Sequence, residues 1–174
     1  LGMKVVLNDP PLREATGDPK YRDLDEALGS DIVTLHVPLE KGTAYPTYHM
    51  VDSRFIERLK PGAILINTSR GAVADSKALA AGMDSGRIGA AVLDVWEGEP
   101  DIPLELLEKT GIATPHIAGY SYDGKVRGTQ MIYEAACRYF AREPEWDPER
   151  FLPAPDRERL KLDGELSLAE KFLH

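Results

Sequence analysis

Short runs rich in valine, isoleucine and leucine recur at residues 3–7, 32–36, 63–67, 90–95 and 112–113, with helical patterns between them. Runs this short and nearly continuous in apolar character are what strands buried in a parallel sheet look like. The intervening segments open on helix-start residues. Residues 24–28 follow Asp23, 53–59 follow Asp52, 76–83 follow Asp75, and 104–108 stand behind Pro103. With right-handed crossovers as the rule, strand–helix alternation predicts an α/β fold, a doubly wound parallel sheet with helices on both faces. A longer helical pattern runs over 123–142, and Glu143-Pro144-Glu145-Trp146-Asp147-Pro148 breaks it. The expected division is therefore an α/β domain over 1–142, ending in the long helix, then a linker and the start of a second α+β domain over 143–174. In that last part a strand is expected at 160–162 and a helix from Ser167.

Composition narrows the function classes. At 174 residues and 43% hydrophobic, the chain can bury a real core. Its formal charge of −8, from 21 basic and 29 acidic residues, repels nucleic acid and anionic membrane surfaces, so neither is an expected partner. No apolar run approaches the ~18 residues of a membrane-spanning helix. The single Cys137 excludes an internal disulfide and a multi-cysteine metal site, which fits a cytoplasmic protein with no metal. Cys137 falls within an apolar-periodic stretch and is expected in the core.

In an open α/β sheet, ligands bind beyond the carboxyl ends of the strands, where loops diverge and helix N-termini point their amides into a crevice. The loops following the five runs contain Asp9-Pro10-Pro11, His36-Val37-Pro38, Thr68-Ser69-Arg70-Gly71, Asp94-Val95-Trp96-Glu97-Gly98-Glu99-Pro100 and Thr114-Pro115-His116-Ile117-Ala118-Gly119-Tyr120. Asp9, at the end of its run, suits an adenosine ribose and would repel a ribose 2′-phosphate; the alternative is a turn initiator ahead of two prolines. A glycine-rich phosphate loop normally precedes such an aspartate by about 20 residues, so it is expected upstream of Leu1. Arg70, beside Gly71, presents a fork that matches a carboxylate with two parallel hydrogen bonds; a solvated surface arginine is the plain alternative. Glu99 and His116 follow the next two strands. A carboxylate bonded to an imidazole fixes its tautomer and makes it a better base for an alcohol proton. Trp96 is either a pocket wall or core. His36 is expected to bond backbone, and His49 and His174 need no role. Lys125 and Arg127 open the long helix, as a solvated face or as a place for a phosphate.

The blocks Ile66-Asn67-Thr68-Ser69-Arg70-Gly71, Leu93 through Pro100, and Thr114 through Tyr120 resemble the D-isomer-specific 2-hydroxyacid dehydrogenases. The resemblance implies a Rossmann-like sheet, NAD as cofactor and a homodimer at full length, with 143–174 beginning the dimerisation domain. It implies Arg70 as the carboxylate-orienting residue, His116 as the acid/base and Glu99 as its support. Asp9, Val37, Thr68, Ser69, Arg70, Asp94 and Gly119 are implied to line the NAD site, and Tyr120 to touch substrate. The run from His116 through Gly119-Tyr120-Ser121 to Gly124-Lys125 and Arg127-Gly128-Thr129, with Asp9-Pro10-Pro11 and Leu152-Pro153-Ala154-Pro155, is similar to family members that act on a phosphorylated 2-hydroxy acid. Two other readings stay open: a dehydrogenase of the phosphoglycerate or glyoxylate/hydroxypyruvate type, and a non-catalytic NAD-sensing module.

Overall fold

A computed structural model describes residues 2–119 and 121–148. Strands β1 (Ile32–Leu35), β2 (Ala63–Asn67), β3 (Ile88–Leu93) and β4 (Ile112–Ala113) form one parallel sheet in the order β1-β2-β3-β4. Leu35 pairs with Asn67, Asn67 with Leu93, and Leu93 with Ala113, so the strands end level and their following loops rise from one edge.

The crossovers α3 (Ser53–Arg58), α4 (Ser76–Asp84) and α5 (Leu104–Lys109) pack side by side. A sequential strand order with right-handed crossovers puts all three on one face. Asp52 starts α3 by accepting the Phe55 N–H, and Asp75 starts α4 by accepting those of Lys77 and Ala78. Phe55, Ile56, Leu79, Leu106 and Leu107 from the helices join Leu35, Leu65, Ala91 and Leu93 from the strands in one buried cluster. Leu28, from α2 (Leu24–Leu28), belongs to it too. On the opposite face Ile64, Ile66, Ala90 and Val92 are only half-buried, and Ile32 is exposed. The described residues thus form one half of a doubly wound sheet, with helical cover from α3–α5 on one face.

Several expectations are corrected. Residues 3–7 make no strand: Leu7 forms one bridge, to Tyr21, and Met3 and Val5 are exposed. A strand is held by a ladder of neighbours, and apolar character cannot replace one. Asp9-Pro10-Pro11 opens not a loop but a helix, α1 (Pro10–Thr16). Asp9 accepts the Leu12 N–H, the prolines occupy the first turn where no amide is needed, and Gly17 ends the helix at φ 63°. The fourth run begins two residues earlier than expected, at Ile88, and ends at Leu93. The long helix α6 (Tyr122–Tyr139) starts on the Ser121 hydroxyl, which accepts the Gly124 N–H, and stops short of residue 142. Its Cys137 is buried, as expected. The segment following α6 is irregular and folds back: the Glu145 and Trp146 amides donate to the Tyr133 hydroxyl, and the two rings meet edge to face at 5.8 Å. Tyr120, the 152–155 motif, the strand and helix expected beyond residue 159, and His174 lie outside the described residues. Among the described residues no helix is long and apolar enough to cross a membrane.

Candidate active site

The loop leaving β2 is shaped by Asn67, whose side chain is buried and takes the place of a backbone turn. Its Oδ1 accepts the Ser69 N–H at 3.1 Å and the Ser69 hydroxyl at 2.8 Å, and its Nδ2 donates to the Arg70 carbonyl at 3.1 Å. Ser69 is thereby turned inward, while Thr68 and Arg70 are exposed on either side of it. One Arg70 nitrogen, Nη1, donates to the Ser69 carbonyl at 2.6 Å, which steadies the guanidinium at the loop surface. Gly71 begins a 3₁₀ turn, Gly71–Val73, directly beneath the next loop. A Cβ on Gly71 would lie 2.0 Å from the Trp96 carbonyl oxygen, so only glycine lets the two backbones approach this closely.

The loops leaving β3 and β4 are joined by Asp94, which is 3% exposed. Its carbonyl accepts the His116 N–H at 2.7 Å. Its carboxylate accepts the Thr114 hydroxyl at 2.6 Å, the Ile117 N–H at 2.8 Å and the Ala118 N–H at 3.0 Å. Burial, the largest influence on this carboxyl, acts to raise its pKa. The Thr114 hydroxyl and the two amides outweigh it and hold the pKa below the ordinary value. His116 is bent into the left-handed region at φ 55°, a strained setting for a non-glycine residue. Its Nδ1 meets Glu99 Oε2 at 2.8 Å, and Glu99 Oε1 accepts the Trp96 N–H at 2.6 Å. With Nδ1 held by the carboxylate, the His116 side chain remains 39% exposed.

Arg70, Glu99 and His116 therefore stand on loops from three adjacent strands at one edge, with Glu99 and His116 in direct contact. Gly119 is exposed near His116, and Val37 packs half-buried on the core after β1. Asp9 is placed outside the four-stranded sheet, capping α1 through Oδ1 alone. Trp96 is core, 4% exposed, with its indole N–H donating to the Thr114 carbonyl at 3.0 Å. His36 bonds the Thr34 hydroxyl at 3.0 Å instead of backbone. Lys125 and Arg127 are exposed. Sequence reasoning gave no role to Asn67, although asparagine at a strand end is a turn signal, nor to His49, which pairs with Glu97 at 2.5 Å. Nothing in the sequence links those last two partners. Among the described residues no group of three His, Cys, Asp or Glu could hold a metal ion.

A parallel sheet with loops rising from its carboxyl edge is the architecture of a Rossmann-like nucleotide-binding domain. Residues 1–118 match the model of "D-isomer specific 2-hydroxyacid dehydrogenase, NAD binding domain", and the chain belongs to that family. Among its relatives, the erythronate-4-phosphate dehydrogenase of Salinibacter ruber is 54% identical over 151 residues, 84% of this chain and 38% of that protein. The Escherichia coli enzyme of the same name (strain E24377A) is 46% identical over 167 residues, 95% of this chain and 44% of its own length. The chain thus spans under half the length of these curated relatives. Among solved structures, holo D-mandelate dehydrogenase of Rhodotorula graminis aligns at TM-score 0.57 and 33% identity, over 78% of this chain and 39% of that one. D-Lactate dehydrogenase of Aquifex aeolicus, complexed with NAD and lactic acid, aligns at 0.54 and 31%, over 79% and 45%.

Proposed function

We propose that this chain is the NAD-binding part of an enzyme that oxidises 4-phospho-D-erythronate to 2-oxo-3-hydroxy-4-phosphobutanoate, a step of pyridoxal phosphate biosynthesis. The observation that carries the proposal is the His116–Glu99 contact at 2.8 Å, on strand ends next to the loop that presents Arg70. The names borne by the relatives point to the substrate.

Arg70 binds the substrate carboxylate through the guanidinium nitrogens that Ser69 does not use. His116 Nε2 removes the proton of the C2 hydroxyl, and Glu99 keeps the other ring nitrogen protonated and the ring in place. NAD, when bound, supplies the hydride acceptor. The residues present fit it: Thr68 and Gly119 are exposed along the strand ends, Val37 offers an apolar surface, and Asp9 Oδ2 remains for a ribose hydroxyl. Ser69 and Asp94 serve the cofactor indirectly, by shaping the loops, and Tyr120 contributes to the substrate side. In the reverse direction a protonated His116 and Arg70 polarise the ketone.

The same proposal divides the chain into an NAD-binding domain over 1–142 and a linker and dimerisation segment over 143–174. It also includes a full-length homodimer in the cytoplasm, without nucleic-acid or membrane partners. The resemblance, the single cysteine and the net charge of −8 support these points. The test is an absorbance assay for NADH with the full-length enzyme on 4-phosphoerythronate, 3-phosphoglycerate and glycerate. Preference for 4-phosphoerythronate is expected; preference for another acid would reassign the substrate, and NAD binding without turnover on any would identify a sensing module.

A further inference from the structure

A second carboxylate–imidazole pair stands beside the first. His49, in the loop between β1 and α3, places Nε2 at 2.5 Å from Glu97 Oε1, and Glu97 Oε2 also accepts the Ser76 N–H at the start of α4, at 3.3 Å. Burial acts first to raise the Glu97 carboxyl, but the bonds from His49 and Ser76 prevail and hold its pKa below the ordinary value. His49 is held by several contacts at once. Its backbone N–H donates to the Ala72 carbonyl at 2.9 Å, its ring stacks on that of Tyr48 at 4.0 Å, and its Nδ1 lies 4.0 Å from Asp75. Like His116, it occupies left-handed backbone, at φ 51°. Loop residues held in this region despite its cost mark places that the surrounding structure over-determines.

The location gives the pair its meaning. Ala72 lies two residues past Arg70, and Glu97 lies two residues before Glu99. Between them Gly71 packs under the Trp96 carbonyl, and the Trp96 N–H donates to Glu99. We propose that His49 and Glu97 are positioning residues: they clamp the turn bearing Glu99 onto the turn bearing Arg70 and so fix the carboxylate-binding and proton-transferring groups relative to each other. This inference rests on the function proposed above, and the pair itself touches no reacting atom.

The test compares His49→Asn with His49→Gln in the full-length enzyme. Asparagine tolerates left-handed backbone but is too short to reach Glu97, whereas a glutamine amide can replace the Nε2–H donor. Glu97→Gln, which keeps volume, covers the case in which His49→Asn fails to fold. For His49→Asn, kcat/KM for the hydroxy acid is expected to fall roughly 10- to 100-fold, the range in which small misplacements act. The NAD dissociation constant should be unchanged and His49→Gln should restore most of the loss. The second readout, needing no turnover, is the His116 imidazole resonance in ¹⁵N NMR of the ligand-free protein. It should move in His49→Asn and return in His49→Gln. Unchanged kinetics and an unmoved resonance, with only a lower melting temperature, would overturn the positioning role. A wild type without dehydrogenase activity would instead sink the functional reading, and the resonance would still decide whether the pair positions His116.

Discussion

His116 is held at φ 55° by its own N–H on the Asp94 carbonyl and by Glu99 on Nδ1, so both the loop and the ring arrive preset. Preorganisation of this kind matters for a base whose proton acceptor must face the substrate without reorganising. His116→Ala is expected to lower turnover by about 10²–10⁴-fold while leaving NAD affinity nearly intact. Steady-state kinetics and a calorimetric NAD titration check this, and near-normal turnover would remove His116 from the mechanism. Arg70 carries a different demand. A lysine would keep the charge but not the fork, and a hydrogen bond to a charged group contributes about 1.5–3 kcal/mol, so Arg70→Lys should cost roughly 10- to 100-fold in kcat/KM for the hydroxy acid. An unchanged specificity constant would show that Arg70 does not bind the carboxylate. Both positions stood out in the sequence because each lies in a loop after an apolar run. His49 was not: its partner Glu97 is 48 residues away, and a side-chain pairing across that separation leaves no local pattern.

The loop after β3 and the loop after β4 act as one element because the Asp94 carboxylate accepts three hydrogen bonds from the second while belonging to the first. Its folded pKa lies below the ordinary value of 3.8, so the stabilisation it gives is fully present above about that pH and is lost as pH falls through the lower folded value. Asp94→Asn should therefore be less stable than the wild type near neutrality, with the difference shrinking below pH 4; a difference independent of pH down to acid unfolding would contradict the sign. The contact between the loops after β2 and β3 is steric. A methyl group at Gly71 meets a backbone carbonyl that cannot swing aside, so Gly71→Ala should destabilise by about 1–3 kcal/mol and lower activity as well. Denaturant melts with parallel kinetics measure both, and a neutral substitution would mean that the turns do not touch. Strands β1, β2 and β4 followed the apolar runs closely: burial selects such residues in β2, while Ile32 of β1 and Ile112 of β4 keep the β-branched character of strands although exposed. Residues 3–7 misled because a strand also needs neighbours on its edges, which composition does not report. Helix α1 was hidden by Pro10-Pro11, which signals a turn as strongly as a helix start.

Across the described residues, burial is uneven, and the unevenness follows the site. The buried cluster is built from α2, β1–β3 and α3–α5, while α1 buries no residue and α6 buries only Cys137. Met131, Ile132 and Tyr139 on α6 are 69%, 75% and 83% exposed, so this helix contributes little apolar burial to the fold. Local opening costs follow buried apolar contact, so the segments should open in a definite order. Native-state hydrogen exchange followed by mass spectrometry is expected to find β2, β3 and α4 protected up to the global unfolding free energy. Amides of α1 and α6 should exchange orders of magnitude faster, through sub-global opening. The loops carrying Arg70, Glu99 and His116 are anchored in the protected part at Asn67, Asp94 and Thr114, so their Asn67- and Asp94-bonded amides should exchange with the core and not with α6. Exchange of α6 at the rate of β2 would show that the helix is part of the same cooperative unit. Exchange of the Ser69, Ile117 and Ala118 amides at the rate of α1 would show that the site is not anchored on the core.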